Sequence, residues 1–89
     1  MKIKEGYILR NILGQYIVVP TGELSQQLNG KLVLNESGAF LWRLLQQERS
    51  KEDLVNCVLK EYDADIEQSE KAVDIFLTQI KSIDGLLEE

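Results

Sequence analysis

Apolar residues come in short runs over the first third of the chain and recur at three- and four-residue spacing over the rest, with the change at Leu34-Asn35. Those two patterns are the signatures of strands and of helices with one buried face. Tyr7 to Leu13 and Gln15 to Val19 are rich in Ile, Val, Leu and Tyr, with Gly14 between them as a turn former, and so predict a β-hairpin. Pro20-Thr21-Gly22-Glu23 ends the second strand, because proline has no amide for a ladder and glycine admits a turn. Leu24 to Leu28 carries two signals: its leucines stand four apart as on a helix, yet Asn29-Gly30 is a strong hairpin dipeptide. It reads as loop or weak strand. Lys31-Leu32-Val33-Leu34 is short, aliphatic and bounded, and predicts a third strand.

Asn35 can accept an otherwise orphan amide at a helix start, and Glu36 suits the positive end of the dipole, so a first helix is expected from there to about Gln47. Its stripe is Phe40, Leu41, Leu44 and Leu45; Trp42 falls off the stripe and either fills a second contact or is partly exposed. Ser50 and Asp53 approximate a capping box for a second helix from about Lys51 to Tyr62, with Leu54, Val55, Val58, Leu59 and Tyr62 at helical spacing. Asp65 is the expected cap of a third helix, whose stripe of Val73, Phe76, Leu77, Ile80 and Ile83 closes at Gly85. The pattern predicts an α+β fold: a small three-stranded antiparallel sheet followed by three helices, winged-helix-like, in a single domain over residues 1–89.

Composition narrows the chemistry. At 44% hydrophobic and 28% charged residues the chain matches a folded globule, and Asp+Glu of 15 against Lys+Arg of 10 gives a net charge of -5, unfavourable for non-specific nucleic-acid binding. The start Met-Lys-Ile-Lys-Glu-Gly lacks the apolar core of a signal peptide, and no apolar run approaches the roughly 20 residues of a membrane span, so a cytoplasmic protein with no membrane contact is expected. Histidine is absent, which removes the usual general base and the commonest metal ligand. Cys57, the lone cysteine, reads as a semi-buried structural thiol, and one Cys without His is too few for zinc. Asp63, Asp65 and Glu67 resemble the start of a calcium loop, but Gln68 stands where glycine is needed, and helix-start acids are the better reading. No cofactor, metal or catalytic group is expected.

A winged-helix layout raises the question of DNA. The third helix answers it: Asp65, Glu67, Glu70, Asp74 and Asp84 outweigh Lys71 and Lys81, a net of -3 where a major-groove reader needs Arg and Lys. The remaining opportunity is the sheet edge, which presents amides and carbonyls that a further extended chain can complete. Lys31 to Leu34 is the candidate edge, and Ala72, Ile75 and Gln79, with Lys71 and Phe76 beside them, form a second ridge on the third helix. Helical spacing leaves open whether Ile75 faces a groove for a guest peptide or simply covers the sheet.

The run Gly30 to Trp42 (GKLVLNESGAFLW), then Asp53-Leu54-Val55, Val73-Asp74-Ile75-Phe76-Leu77 and Asp84-Gly85-Leu86-Leu87, resembles the coenzyme PQQ synthesis protein D (PqqD) family over nearly the whole chain, most specifically at the Leu-Asn-Glu-Ser-Gly-Ala turn. The resemblance implies a RiPP recognition element, in which the leader segment of a ribosomally made precursor peptide adds as a strand to the third strand and packs on the third helix. Carried onto this chain, the peptide-binding residues are Lys31, Leu32, Val33 and Leu34 on the strand and Lys71, Ala72, Ile75, Phe76 and Gln79 on the helix. It also implies no catalysis, a chaperone-like role, and hand-over of the precursor to a tailoring enzyme such as a radical-SAM protein, a leader peptidase or a macrocyclase. A winged-helix interaction or regulatory domain is the alternative expectation.

Overall fold

The computed structural model describes residues 1–21, 32–83 and 85–89. In chain order these form β1 (Lys2–Ile3), β2 (Tyr7–Ile12), β3 (Gln15–Pro20), β4 (Leu32–Leu34), α1 (Glu36–Leu44), α2 (Lys51–Tyr62), α3 (Ile66–Lys81) and β5 (Leu87–Glu88). The expectations for Gly22 to Gly30, for Lys31 and for Asp84 fall outside the described residues.

The hairpin forms where the sequence pattern puts it, with β2 and β3 antiparallel from Tyr7 opposite Pro20 to Ile12 opposite Gln15. Its loop is two residues long: Leu13 and Gly14 have φ of 52° and 83°. Two left-handed residues make the turn whose twist matches that of paired strands, so Leu13 belongs to the turn and not, as its apolar character suggests, to the strand. The Gly14 amide donates to Asn11 Oδ1 at 3.2 Å. β4 continues the sheet on the other side of β3, antiparallel, with Tyr16 opposite Leu34 and Val18 opposite Leu32. Leu9, Tyr16, Val18, Leu32 and Leu34 share the face that packs on the helices.

α1 starts directly on the end of β4. Asn35 Oδ1 accepts the Gly38 amide at 2.7 Å, and a Cβ at position 38 would stand 3.0 Å from that oxygen and 3.2 Å from Leu34 Cβ. The Leu-Asn-Glu-Ser-Gly turn is therefore a capped helix start in which glycine permits the close approach of helix to strand. Asn35→Ala is expected to cost about 1 kcal/mol, a fall of about 4–8 °C in melting temperature for a chain of this size, read by circular dichroism.

α1 stops at Leu44, short of the expected Gln47. The cause lies outside the helix: the Leu45 carbonyl accepts the Ile3 amide at 2.9 Å and the Leu44 carbonyl accepts Arg49 Nε at 3.1 Å, while the amides of Gln46 and Gln47 reach back only three residues. The terminal carbonyls are satisfied by β1 and Arg49 in place of a further turn. Trp42 is buried, because α1 is enclosed on more than one side and also buries Gly38, Ala39 and Leu41. Phe40 meets Tyr62 of α2 edge-on, with ring centroids 5.6 Å apart.

α2 carries the expected box, with the Asp53 amide donating to Ser50 Oγ at 3.1 Å and the Ser50 amide to Asp53 Oδ2 at 3.4 Å. α3 is capped by Asp65, whose Oδ1 accepts the Gln68 amide at 2.7 Å. It ends at Lys81 and not at Gly85; Gly85, with φ of 78°, makes the turn that follows. That turn leads into β5, which pairs antiparallel with β1 through Lys2 opposite Glu88 and Ile3 opposite Leu87, a second small sheet that the sequence pattern did not announce. Ile3, Leu41, Leu45, Leu54, Val58, Val73, Phe76, Ile80 and Leu86 lie in one apolar core between the sheet and the helices. At the surface Lys51 Nζ sits 2.7 Å from Asp74 Oδ1, and hydrogen bonding to that carboxylate keeps the lysine above its ordinary range. Both side chains are more than half exposed, so the pair adds little to stability. No helix among the described residues is long and apolar enough to cross a membrane.

Candidate functional site

The hairpin loop fixes which backbone groups of the sheet are occupied. A two-residue loop is closed by a hydrogen-bonded pair, here Ile12 with Gln15, and hydrogen-bonded and open pairs then alternate along the ladder. On β3 this directs the amides and carbonyls of Tyr16 and Val18 toward β4, where they meet Leu34 and Leu32. Val33 lies opposite Ile17 in an open pair, so its own amide and carbonyl point away from β3, to the free edge of the sheet. Gln79 corroborates the geometry from the other side, since its side-chain amide reaches the Val33 carbonyl at 3.5 Å.

The sequence-predicted residues divide accordingly. Leu32 and Leu34 are buried on the inner face and bond to β3, so they hold β4 in place. Val33 is 42% exposed and offers the edge its backbone. On α3, Phe76 is 1% exposed and belongs to the core, whereas Ile75, next in sequence, is 48% exposed. Their separation settles what helical spacing left open: Ile75 does not cover the sheet. Lys71 is exposed, Ala72 and Gln79 are half-buried, and Lys31 lies outside the described residues.

Between the start of α1 and α3 runs a groove of about 220 Å³ lined by Asn35, Ser37, Gln68, Lys71, Ala72, Ile75 and Phe76. Gln68 and Ala72, Lys71 and Ile75, and Ile75 and Gln79 stand four residues apart, so these five side chains share one side of α3. The groove thus combines an apolar wall of Ala72 and Ile75 over a Phe76 floor, an ammonium at Lys71, and amides and a hydroxyl at its mouth. Asn35, Ser37 and Gln68 were absent from the sequence-predicted set; Asn35 and Gln68 were legible only as partners in helix caps.

The arrangement is suited to hold an extended chain. It offers a main-chain donor and acceptor at Val33, a place for apolar guest side chains beside Ile75, and a positive charge for an acidic one. Two larger clefts elsewhere do not adjoin the edge: one at Lys81, Ile83 and Leu87, the other at Lys51, Val55, Ile66 and Glu70.

A family model described as coenzyme PQQ synthesis protein D (PqqD) matches residues 15–84, a span that takes in β3, β4 and all three helices and with them both the edge and the groove. Among solved structures the chain is similar to "TbiB1 in Complex with the TbiA(beta) Leader Peptide", with 21% sequence identity and a TM-score of 0.70 over 99% of this chain and 100% of that one. At that identity the likeness is one of fold. No curated protein matches the chain.

Proposed function

We propose that this chain, which belongs to the coenzyme PQQ synthesis protein D (PqqD) family, binds the leader segment of a ribosomally synthesised precursor peptide and presents it to a modifying enzyme. The observation that carries the reading is Val33, whose backbone faces the open edge and whose carbonyl is reached by Gln79 of α3, the helix that also carries the groove at Ala72 and Ile75. The leader adds antiparallel or parallel to β4 as a fourth strand, which gives affinity tolerant of sequence, and its side chains enter the groove at Ala72 and Ile75, which gives selectivity. The fold shared with TbiB1, a protein seen bound to a leader peptide, supports the same reading.

The role is that of a single carrier domain over residues 1–89, without catalysis of its own, acting in the cytoplasm with an enzyme of the radical-SAM, leader-peptidase or macrocyclase kind. Ordering a flexible leader has an entropic cost, so affinity in the micromolar to nanomolar range, about -8 to -12 kcal/mol, is expected. The test is isothermal titration with the N-terminal segments of short peptides encoded beside the gene. Saturable binding of one leader supports the reading; a folded protein that binds none of them removes it.

The groove has its own test. Ile75→Asp is expected to leave the protein folded, since Ile75 is half-exposed, and to weaken leader binding by about tenfold or more by setting an unpaired carboxylate against apolar guest side chains. Unchanged affinity in the folded variant would show that the guest does not use this wall.

A further inference from the structure

The groove beside Ile75 has a chemical bias of its own. Among the described residues no acid lines it, although α3 as a whole is acidic, and the charge it holds is the Lys71 ammonium. Glu67 and Asp74 stand one turn from Lys71 on either side, the spacing at which ion pairs form along a helix. Among the described residues Lys71 forms none: Asp74 binds Lys51 at 2.7 Å, and Lys71 lines the groove instead. Asn35 at the mouth adds to the same bias. Its Oδ1 accepts both the Gly38 amide at 2.7 Å and the Ser37 hydroxyl at 3.1 Å, so its NH2 group is what it offers a guest. A mouth that donates from Lys71 and Asn35 suits an acceptor, and a carboxylate is the acceptor that also matches the charge.

Spacing says where on the guest that carboxylate stands. α3 meets the edge strand at Gln79, which reaches the Val33 carbonyl, and meets the start of α1 farther back, at Lys71 and Ala72. Ile75 therefore lies between the Val33 contact and Lys71. Ile75 and Lys71 are one helical turn apart, about 6 Å along the axis. Alternate side chains of an extended chain share one face and stand about 6.6 Å apart. An extended guest thus sets one side chain on Ile75 and the next on the same face beside Lys71.

We propose that the guest of this groove is a peptide segment with an acidic and an apolar side chain two residues apart, and that Lys71 is the residue that selects the acid. The inference rests on the leader-binding reading and names the class of leader. A chain of net charge -5 repels acidic peptides at a distance, so the ammonium in the groove discriminates by position and not by overall charge. The order of the pair follows the direction of the added strand: acid first when the guest runs antiparallel to β4, apolar residue first when it runs parallel.

The probe is a displayed library of random peptides long enough to pair with β4 and reach Lys71, selected on the full chain. The wild type is expected to enrich peptides with Asp or Glu two residues from a large apolar residue. Lys71→Glu is expected to enrich Lys or Arg in place of the acid and to keep the apolar residue, while Lys71→Gln loses the charge preference alone. Lys71 is exposed, so both variants are expected to fold, which circular dichroism checks. In titrations an enriched acidic peptide is expected to lose about fivefold or more in affinity for Lys71→Glu, and replacing its acid by Lys to restore the loss. An acid preference that survives Lys71→Glu, or a wild type that shows none, overturns the proposal and leaves strand addition standing. A folded wild type that enriches no peptide overturns both. Failure of every leader encoded beside the gene to bind, with the acid preference present in the library, removes the leader reading and supports the selectivity of the groove.

Discussion

Val33→Pro abolishes or severely weakens leader binding in a protein that remains folded. Val33 sits in an open pair with Ile17, so its amide takes no part in the β3-β4 ladder and its removal breaks no bond within the sheet. The preceding residue, Leu32, is already in a strand, the conformation that proline imposes on its neighbour. The added ring occupies the space an incoming strand needs, and a guest carbonyl aimed at position 33 finds no donor. A buried carbonyl left without a partner costs about 1–3 kcal/mol, so leader affinity is expected to fall by about 10- to 100-fold. Circular dichroism checks the fold and titration checks the affinity. A folded Val33→Pro protein that binds as tightly as the wild type would exclude strand addition at β4.

Phe76→Ala has the opposite character. Phe76 is next to Ile75 in sequence and lines the same groove, yet its ring fills the core among residues of α1, α2 and β4. Truncating a buried phenylalanine costs about 3–5 kcal/mol in lost burial and residual cavity, a large share of the roughly 5–15 kcal/mol that holds a small domain together. Urea titration is expected to show the midpoint displaced far toward water, and leader binding lost only as the folded fraction is lost. The variant thus loses binding through stability, where Ile75→Asp loses it at the surface; the two measurements together separate floor from wall. A Phe76→Ala protein of near wild-type stability would mean that the ring is not the keystone its burial indicates.

Much of this architecture is written in local signals. Asn35, Ser50 and Asp65 cap their helices as side-chain chemistry requires, and the apolar alternation on either side of Gly14 does produce a hairpin. What escaped the sequence was set by distant partners. β1 and β5 are two residues each, too short to show a period, and they exist because chain segments more than eighty residues apart meet. The same meeting shortens α1, since Ile3 takes the Leu45 carbonyl. Leu13 looked like strand because it is apolar, while the decisive constraint was the handedness of a two-residue loop. The site shows the same division. The ridge of Lys71, Ala72, Ile75 and Gln79 is a matter of helical spacing, but the choice between Ile75 and Phe76 as core residue depends on how α3 is rotated over the sheet. That Leu32 and Leu34 bond to β3 while Val33, alone among the three residues of β4, turns its backbone to the open edge follows from ladder parity, which begins at the hairpin loop some twenty residues away.

The Gln79 amide that reaches the Val33 carbonyl gives the free protein an internal stand-in for half of a strand contact. The acceptor that a stray extended chain would seek first is already answered, which guards a short open edge against sticking to copies of itself. An arriving guest must exchange one hydrogen bond for another at that carbonyl and gains little there; its net advantage comes from the Val33 amide and from what it inserts beside Ile75. Discrimination is moved in this way from the peptide backbone, which every polypeptide shares, to side chains that few possess, and release after modification is made easier because the edge never has to be left bare.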